Sequence, residues 1–176
     1  MNVILFGYRG SGKTVVGRLT AQRLGWPFVD VDEEVRRGFG GMSIAEIWSK
    51  HGEPAFRQAE AQAVVEICRR DGQVIALGGG TLMQAKAREV ITGRAEDLKV
   101  YLQAPPEILQ QRIAADPGTR IDRPNLTTLG GGLEEIRAVL ARRDPIYRSA
   151  ANHLLEVTDL GPEAAAKTIA GWVRRV

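Results

Sequence analysis

The amino-acid sequence predicts an α/β fold in which a parallel β-sheet is covered by helices on both faces. Short apolar runs alternate with longer stretches of helical period, which is the pattern of βαβ units. These runs are apolar at consecutive positions, as in strands buried on both sides. A glycine-rich loop also follows the first run and opens the first helix. With 176 residues and no evident linker, we expect a single domain over residues 1–176.

Five apolar runs are the strand candidates. They are VILFG (3–7), PFVDVD (27–32), QVIALGG (73–79), KVYLQA (99–104) and HLLEVT (153–158). The first helix begins in the glycine-rich loop and is expected to end near Gly25. The second begins at a capping-box pair, Ser43 and Glu46, and is expected to stop near Gly52. Further helices are expected in EPAFRQAEAQAVVEICRR, PPEILQQRIAA and GPEAAAKTIAGWVRR.

Residues 116–132, DPGTRIDRPNLTTLGGG, interrupt this pattern because two prolines and four glycines leave little periodicity. Loops of this length inside a domain are usually lids or disordered connections. Helices are predicted on both sides and two arginines lie inside, so we favour a mobile lid over about residues 113–132. The alternative is a solvated loop whose arginines have no role.

Composition and charge narrow the class of protein. The hydrophobic fraction of 44% and the charged fraction of 26% are those of an ordinary globular protein. No apolar stretch approaches the length of a membrane span, and MNVILFGY lacks a basic leader, so we expect a cytoplasmic protein without membrane association. The net charge is +3, yet no basic run of five residues occurs. This argues against nucleic acid and leaves anionic small molecules as ligands.

The single cysteine, Cys68, excludes an internal disulfide and a cysteine-cluster zinc site. It lies in AVVEICRR, where it falls on the apolar face of a helix. We therefore expect Cys68 to be a buried core residue and not a reactive thiol.

Residues 7–14, GYRGSGKT, match the phosphate-binding pattern G-x-x-x-x-G-K-[ST] in full. The motif lies between a predicted strand and a predicted helix, where successive N–H groups and the helix N-terminus can surround a phosphate. Lys13 is then expected to reach the β- and γ-phosphates, and the Thr14 hydroxyl to ligate Mg²⁺. The motif alone is shared by switches, motors and small-molecule kinases, so it does not identify a function.

Two aspartates lie at the end of the second strand candidate, in the segment VDVDEE. Asp30 and Asp32 lie at its carboxyl end, where the ligand crevice of an open parallel sheet is found. Their side chains point to opposite sides of the sheet, or one of the two residues belongs to the loop that follows the strand. One carboxylate can hold Mg²⁺ while the other accepts a hydrogen bond from a substrate hydroxyl. The alternative is that they only cap a helix.

Two further segments are candidates for the acceptor side of a site. In EPAFRQAE, Arg57 and Glu60 are three residues apart on one helix, and Phe56 and Trp48 can supply apolar walls. Arg57 and Glu60 can equally form a surface salt bridge of under about 1 kcal/mol. In ALGGGT (76–81), three glycines end a buried strand, which permits close approach of a ligand to the backbone.

The motifs GxxGSGKT, DxD, FRxxE, GGG, an arginine–proline segment and RRDPIY occur in this order. Their combination closely resembles shikimate kinase from residue 2 to about residue 151. The resemblance implies a three-layer α/β/α P-loop kinase fold of the nucleoside monophosphate kinase type, with a five-stranded parallel sheet in the order 2-3-1-4-5 and a mobile lid. It also implies transfer of the γ-phosphate of ATP to the 3-hydroxyl of shikimate, with Mg²⁺ as cofactor, by a monomer.

By the same resemblance, residues acquire roles that fall into four groups. The catalytic group is Lys13, Asp32 and Arg123. The ATP-binding group is Gly10, Ser11, Gly12, Lys13, Thr14, Val15, Arg112 and Arg123, with the loop around residues 158–162 on the other side of the adenine. The shikimate-binding group is Asp32, Arg57, Gly78, Gly79, Gly80 and Arg143, and the metal-binding group is Thr14 and Asp30.

Alternatives remain at this stage. Arg120 is the rival of Arg123 as the working arginine of the lid, because the sequence after the proline departs from the common family pattern. Another small-molecule P-loop kinase, such as a gluconate kinase, is the alternative enzyme. A nucleotide-dependent binding module is the alternative without catalysis. Arg57 together with the triple glycine favours shikimate, since both supply contacts for a small carboxylated ring.

Overall fold

A five-stranded parallel sheet forms the middle layer of the fold in the computed structural model, which describes residues 1–116, 130 and 132–174. The strands are β1 (Val3–Phe6), β2 (Phe28–Asp30), β3 (Val74–Ala76), β4 (Leu98–Gln103) and β5 (His153–Glu156). Their order in the sheet is β2-β3-β1-β4-β5, and each neighbouring pair is parallel. The parallel sheet and its strand order are therefore confirmed. The strands lie inside the five predicted runs, except that β4 begins one residue earlier.

Helices connect the strands and cover both faces of the sheet. They are α1 (Lys13–Leu24), α2 (Val31–Gly38), α3 (Ile44–Ile67), α4 (Ala85–Gly93), α5 (Pro106–Ala115), α6 (Leu133–Ala150) and α7 (Pro162–Val173), with a short 3₁₀ turn at Thr81–Met83. Residues 117–129 and 131 of the segment predicted as a mobile lid, with Arg120 and Arg123, lie outside the described residues. Its predicted start at about residue 113 falls within α5, whose last turn extends to Ala115, and α6 follows the segment.

Alternate residues of the strands enter two hydrophobic clusters on opposite faces of the sheet. Ile4 and Phe6 of β1 belong to a cluster with α2, α3, α4 and α6. Val3 and Leu5 of the same strand belong to a second cluster with α1 and α7. All four side chains are at most 1% exposed. The three central strands, β1, β3 and β4, are buried along almost their whole length, which is why their sequences are apolar at consecutive positions. The edge strands differ from the prediction, since β2 is only half-buried and β5 has exposed residues.

The helix boundaries follow local signals in the sequence. Gly25 ends α1 in a left-handed conformation, and Ser43 forms the predicted capping box with Glu46 at the start of α3. Gly52 has a φ of 83°, so α3 is two helical pieces joined by a kink near Pro54. The kink corresponds to the predicted stop at Gly52, but the second piece begins at once and buries Phe56 and Glu60 of the FRQAE segment.

The carboxyl edge of the sheet collects the segments with chemical motifs. β1 leads into the glycine-rich loop, β2 ends at Asp30, and β3 leads into residues 77–80. The register aligns Asp30 with Ala76, and Ala76 with Leu5. The three segments are therefore adjacent at one edge, as expected for a ligand crevice in an open parallel sheet.

None of the helices in the described part of the chain combines the length and the apolar character that a membrane span requires.

Cys68 should be chemically inert in the folded protein. It is 5% exposed at the end of α3, and burial raises the pKa of its thiol to about 11. Thiolate is the reactive form, so it is scarce at pH 8. We expect a disulfide-exchange reagent at pH 8 to label the native protein at least about 100-fold more slowly than the urea-unfolded chain. Labelling of both forms at similar rates would contradict this burial.

Candidate active site

The glycine-rich loop turns sharply before α1. Gly12 is the N-cap of α1 with a φ of 87°, a conformation that side chains other than glycine rarely adopt. The Lys13 ammonium donates hydrogen bonds to the carbonyls of Gly7 and Tyr8, at 3.0 and 2.9 Å. Tyr8 itself is buried between α5 and α6. The loop is thus held from both sides and places Lys13 at the mouth of a cleft.

This cleft brings together most residues of the predicted nucleotide site. The predicted members that line it are Gly10, Gly12, Lys13, Thr14, Val15, Asp30, Asp32 and Arg112. Arg112 donates hydrogen bonds to the carbonyls of Val157 and Thr158, so the expected loop does lie beside it. The side chain of Ser11 is 1% exposed and does not line the cleft.

The two predicted metal ligands touch each other. The Thr14 hydroxyl donates a hydrogen bond of 2.9 Å to Oδ2 of Asp30. The other carboxylate oxygen of Asp30 accepts from the backbone N–H of Asp32, which caps α2. Asp30 therefore has both functions that the sequence left open, a helix cap and a place beside Thr14. A hydroxyl and a carboxylate at the mouth of a phosphate-binding cleft are oxygen donors that suit Mg²⁺.

Arg57 and Glu60 form a buried network instead of a surface salt bridge. Glu60 is completely buried, so the surface alternative is wrong. Its carboxylate accepts from Arg57 at 3.0 Å, from the Thr81 hydroxyl at 2.5 Å and from Gln84 at 2.6 Å. Burial raises the pKa of Glu60, while Arg57 and Thr81 oppose this effect. The carboxylate thus ties α3 to the turn that follows β3.

The triple glycine leaves space for charged side chains. A Cβ on Gly80 would lie 2.5 Å from a terminal nitrogen of Arg57. A Cβ on Gly78 would lie 2.6 Å from Oδ1 of Asp32 and 2.5 Å from Oε1 of Glu60. Any larger residue at either position would displace these groups. Gly78 and Gly80 are therefore required by the close approach of these side chains.

Helix α6 holds the middle glycine of this turn. Arg143 donates a hydrogen bond of 2.9 Å to the carbonyl of Gly79, and the Tyr147 hydroxyl donates one of 2.5 Å to the same oxygen. Burial raises the pKa of Tyr147 to about 12, so the hydroxyl remains a donor at neutral pH. Arg143 and Tyr147 come from the motif RRDPIY, whose position in the fold the sequence alone did not show.

These groups surround a second pocket, which collects residues predicted for the acceptor side and is called the acceptor pocket below. Arg57 and Arg143, the three glycines and Asp32 line it, with Trp48, Phe56 and Ile44 as apolar walls. Asp32 also lines the nucleotide cleft, and so does Arg9. The two pockets therefore adjoin at Arg9 and Asp32.

A family model described as shikimate kinase matches residues 9–174 of this chain. The chain belongs to the shikimate kinase family. As a member of this family, it is an ATP-dependent kinase.

Similarity to individual shikimate kinases extends over almost the whole chain. The shikimate kinase of Oleidesulfovibrio alaskensis is 40% identical over 174 residues, which cover 99% of this chain and 95% of that protein. The structure of the Acinetobacter baumannii shikimate kinase in complex with shikimate is similar with a TM-score of 0.88 at 34% identity, over 99% of this chain and 93% of that one.

A gluconokinase from Sinorhizobium meliloti shares the fold. It matches with a TM-score of 0.58 at 17% identity, over 99% of this chain and 93% of that one. This likeness concerns the fold alone.

Sequence reasoning missed several parts of this site. The sequence does not show that Glu60 is completely buried, because a single helix does not show what packs against it. The motif RRDPIY contains Tyr147 but indicates no role for it, and the sequence alone assigns no role to Arg9. The spacing of Arg9 from Lys13 carries no signal, since the phosphate-binding pattern accepts any residue there. Arg123, predicted to be catalytic and to bind ATP, lies outside the described residues.

Glu60 should make the stability of this shikimate kinase pH-dependent. Its pKa is raised above 4.5, so the native state holds this proton more tightly than the unfolded chain. As the pH rises from about 4.5 through the raised pKa, this carboxyl should therefore lower the free energy of unfolding. Glutamine does not titrate. We expect the difference in free energy of unfolding, Glu60→Gln minus wild type, to become more positive between pH 4.5 and pH 7.5.

Urea unfolding at several pH values in that range measures this difference. Glu66→Gln, an exposed glutamate further along α3, is the control and should show no such trend. A difference that stays constant with pH, or falls, would show that the pKa of Glu60 is not raised.

Proposed function

We propose that this chain transfers the γ-phosphate of ATP to the 3-hydroxyl of shikimate, giving shikimate 3-phosphate and ADP. The observation that carries the proposal is the meeting of two pockets at Asp32, one built around the P-loop and one around Arg57 and Arg143. A phosphate donor and a carboxylated acceptor can thereby face each other.

The acceptor pocket suits a small carboxylated ring with hydroxyl groups. Arginine presents a planar fork that can hold a carboxylate through two parallel hydrogen bonds. Arg57 is held in place by Glu60 and Glu53, and Arg143 by the Gly79 carbonyl. Asp32, which is 7% exposed, offers a carboxylate for the hydroxyls. Trp48 and Phe56 supply apolar surface for the ring.

In this proposal Asp32 is the group that orients the attacking hydroxyl and accepts its proton. It is the carboxylate that lines both pockets, whereas Asp30 lines only the nucleotide cleft. Lys13 exchanges its hydrogen bonds with the loop carbonyls for oxygens of the β- and γ-phosphates. Phosphoryl transfer needs this positioning and charge neutralisation more than covalent catalysis. Arg123, or its rival Arg120, is proposed as the cation of the lid.

Mg²⁺ is the proposed cofactor, with the Thr14 hydroxyl and Asp30 as the residues that hold it. When bound, it would supply positive charge that neutralises the phosphate oxygens.

We further propose that the chain acts as a monomer in the cytoplasm. The proposal of a monomer is supported by a P-loop and acceptor pocket that come from one chain, and sedimentation at micromolar concentration tests it.

An acceptor panel tests the proposed substrate. ADP release is measured with MgATP and shikimate, gluconate, a nucleoside monophosphate or dephospho-coenzyme A as acceptors. We expect turnover with shikimate alone. Turnover with gluconate and none with shikimate would replace the proposal by the alternative kinase. No acceleration by any acceptor would favour a binding module.

Asp32→Asn and Arg57→Ala should each remove about 2 to 4 kcal/mol of transition-state stabilisation, because each deletes a charge-assisted contact. We therefore expect kcat/KM for shikimate to fall by roughly 30- to 1000-fold, while MgADP affinity changes little. Glu33→Gln on α2 and Arg69→Ala beyond α3 are exposed controls that should retain activity. Full activity in a variant would remove that residue from the mechanism.

Asp30→Asn should raise the Mg²⁺ concentration needed for half-maximal activity. Asparagine caps helices about as well as aspartate, so α2 should keep its start while the charge on the metal is lost. We expect an increase of about 10-fold or more in the half-saturating Mg²⁺ concentration, measured at fixed total ATP. An unchanged Mg²⁺ requirement would exclude Asp30 as a ligand.

A further inference from the structure

Arg9 occupies the junction between the two pockets. It follows the buried Tyr8 in the glycine-rich loop, and within the described residues only Arg9 and Asp32 line both the nucleotide cleft and the acceptor pocket. The backbone nitrogen of Arg9 would also lie 3.7 Å from a Cβ on Gly79, so the loop and the triple glycine pack closely here. A side chain at this point can reach whatever crosses from one pocket to the other.

The guanidinium of Arg9 has hydrogen-bonding capacity in reserve. Its Nε atom is buried and has no hydrogen-bond partner in the described part of the chain. Arg57 and Arg143, by contrast, each donate to a carboxylate or a carbonyl. A buried donor without a partner is costly to the folded state. An anion at the junction would offer acceptors to this guanidinium.

The anion that passes this junction is the phosphoryl group. In the proposed reaction, the bond between the γ-phosphorus and the bridging oxygen breaks, and its electron pair stays on ADP. A bond from the 3-hydroxyl oxygen of shikimate to that phosphorus forms, and the hydroxyl proton passes to Asp32. Lys13 lies on the donor side of this path, while Arg57 and Arg143 lie on the acceptor side. Arg9 is the described cation that lines both sides.

We propose that Arg9 binds the phosphoryl group in transit and then holds the phosphate of the product, shikimate 3-phosphate. This inference rests on the proposed function. Arginine suits the task because its planar fork can grip two oxygens of a phosphate and remains charged at any working pH. Arg9 forms no covalent bond to the phosphoryl group. It strengthens the binding only of ligands that carry a phosphate at the junction.

Three variants test this inference. Arg9→Met removes the charge at similar length, Arg9→Lys keeps a point charge without the fork, and Arg37→Met removes an exposed arginine from α2 as the matched control. Steady-state kinetics give kcat and KM for shikimate. Calorimetry gives the affinities for shikimate and for shikimate 3-phosphate, each in the presence of MgADP. The melting temperature of each variant is measured in the same buffer.

A specific pattern is expected for Arg9→Met. The kcat should fall by about 10- to 100-fold, as for loss of one charge-assisted contact in a transition state, while KM for shikimate changes less than about threefold. The affinity for shikimate 3-phosphate should fall by about 10-fold or more, whereas that for shikimate changes less than about threefold. Arg9→Lys should be intermediate. The melting temperature should stay the same or rise, because a donor without a partner is removed.

Other outcomes overturn the inference. Equal losses of affinity for shikimate and for its phosphate, with a lower melting temperature, would assign Arg9 a structural role. Values equal to those of Arg37→Met would show that Arg9 does not contact the phosphate. Failure of the proposed function can be told apart from failure of this inference, because the wild-type chain would then not phosphorylate shikimate. In that case the inference about Arg9 would fail as well.

Discussion

The acceptor half of the active site depends on one buried charge, the carboxylate of Glu60. It joins three otherwise separate segments, because it accepts hydrogen bonds from Arg57 on α3, from Thr81 in the 3₁₀ turn and from Gln84 at the cap of α4. A buried carboxylate is tolerated only when its oxygens are well supplied with donors. The need to satisfy Glu60 therefore fixes where Arg57 and the triple glycine lie relative to each other.

This arrangement favours preorganisation over stability. Burial raises the pKa of Glu60, so this carboxyl binds a proton more tightly than an exposed glutamate does. The ionised form is nevertheless the one that accepts three hydrogen bonds, of which the one from Arg57 is also an ion pair. An arginine held in this way does not have to be ordered again when an anionic ligand arrives, and the entropy cost of binding is correspondingly smaller.

The sequence was sufficient for the features that depend on local pattern. Strands buried on both faces are apolar throughout, glycine marks the end of α1 and the kink of α3, and the phosphate-binding loop has a fixed spacing. The strand order came from resemblance. The periodicity of β2 and β3 does not determine their neighbours in the sheet, because strand order depends on how the crossover helices pack.

The sequence was insufficient where tertiary packing decides the role of a side chain. Glu60 at three residues from Arg57 is compatible with an exposed ion pair and with a buried one, and only the turn after β3 distinguishes the two. Asp30 looked like either a cap or a ligand, whereas the structure allows both, since its two oxygens face different partners. Arg9 lies within a motif that restricts neither its identity nor its direction.

The Gly79 carbonyl, shared by Arg143 and Tyr147, has a consequence for protein engineering. Because one backbone oxygen connects α6 to the triple-glycine turn, neither segment can be transplanted alone into a related scaffold without leaving a donor or the acceptor unmatched. A transfer of acceptor specificity would have to move α6, the turn after β3 and the second half of α3 as a single unit. The smallest exchangeable module of this enzyme is thus discontinuous in sequence.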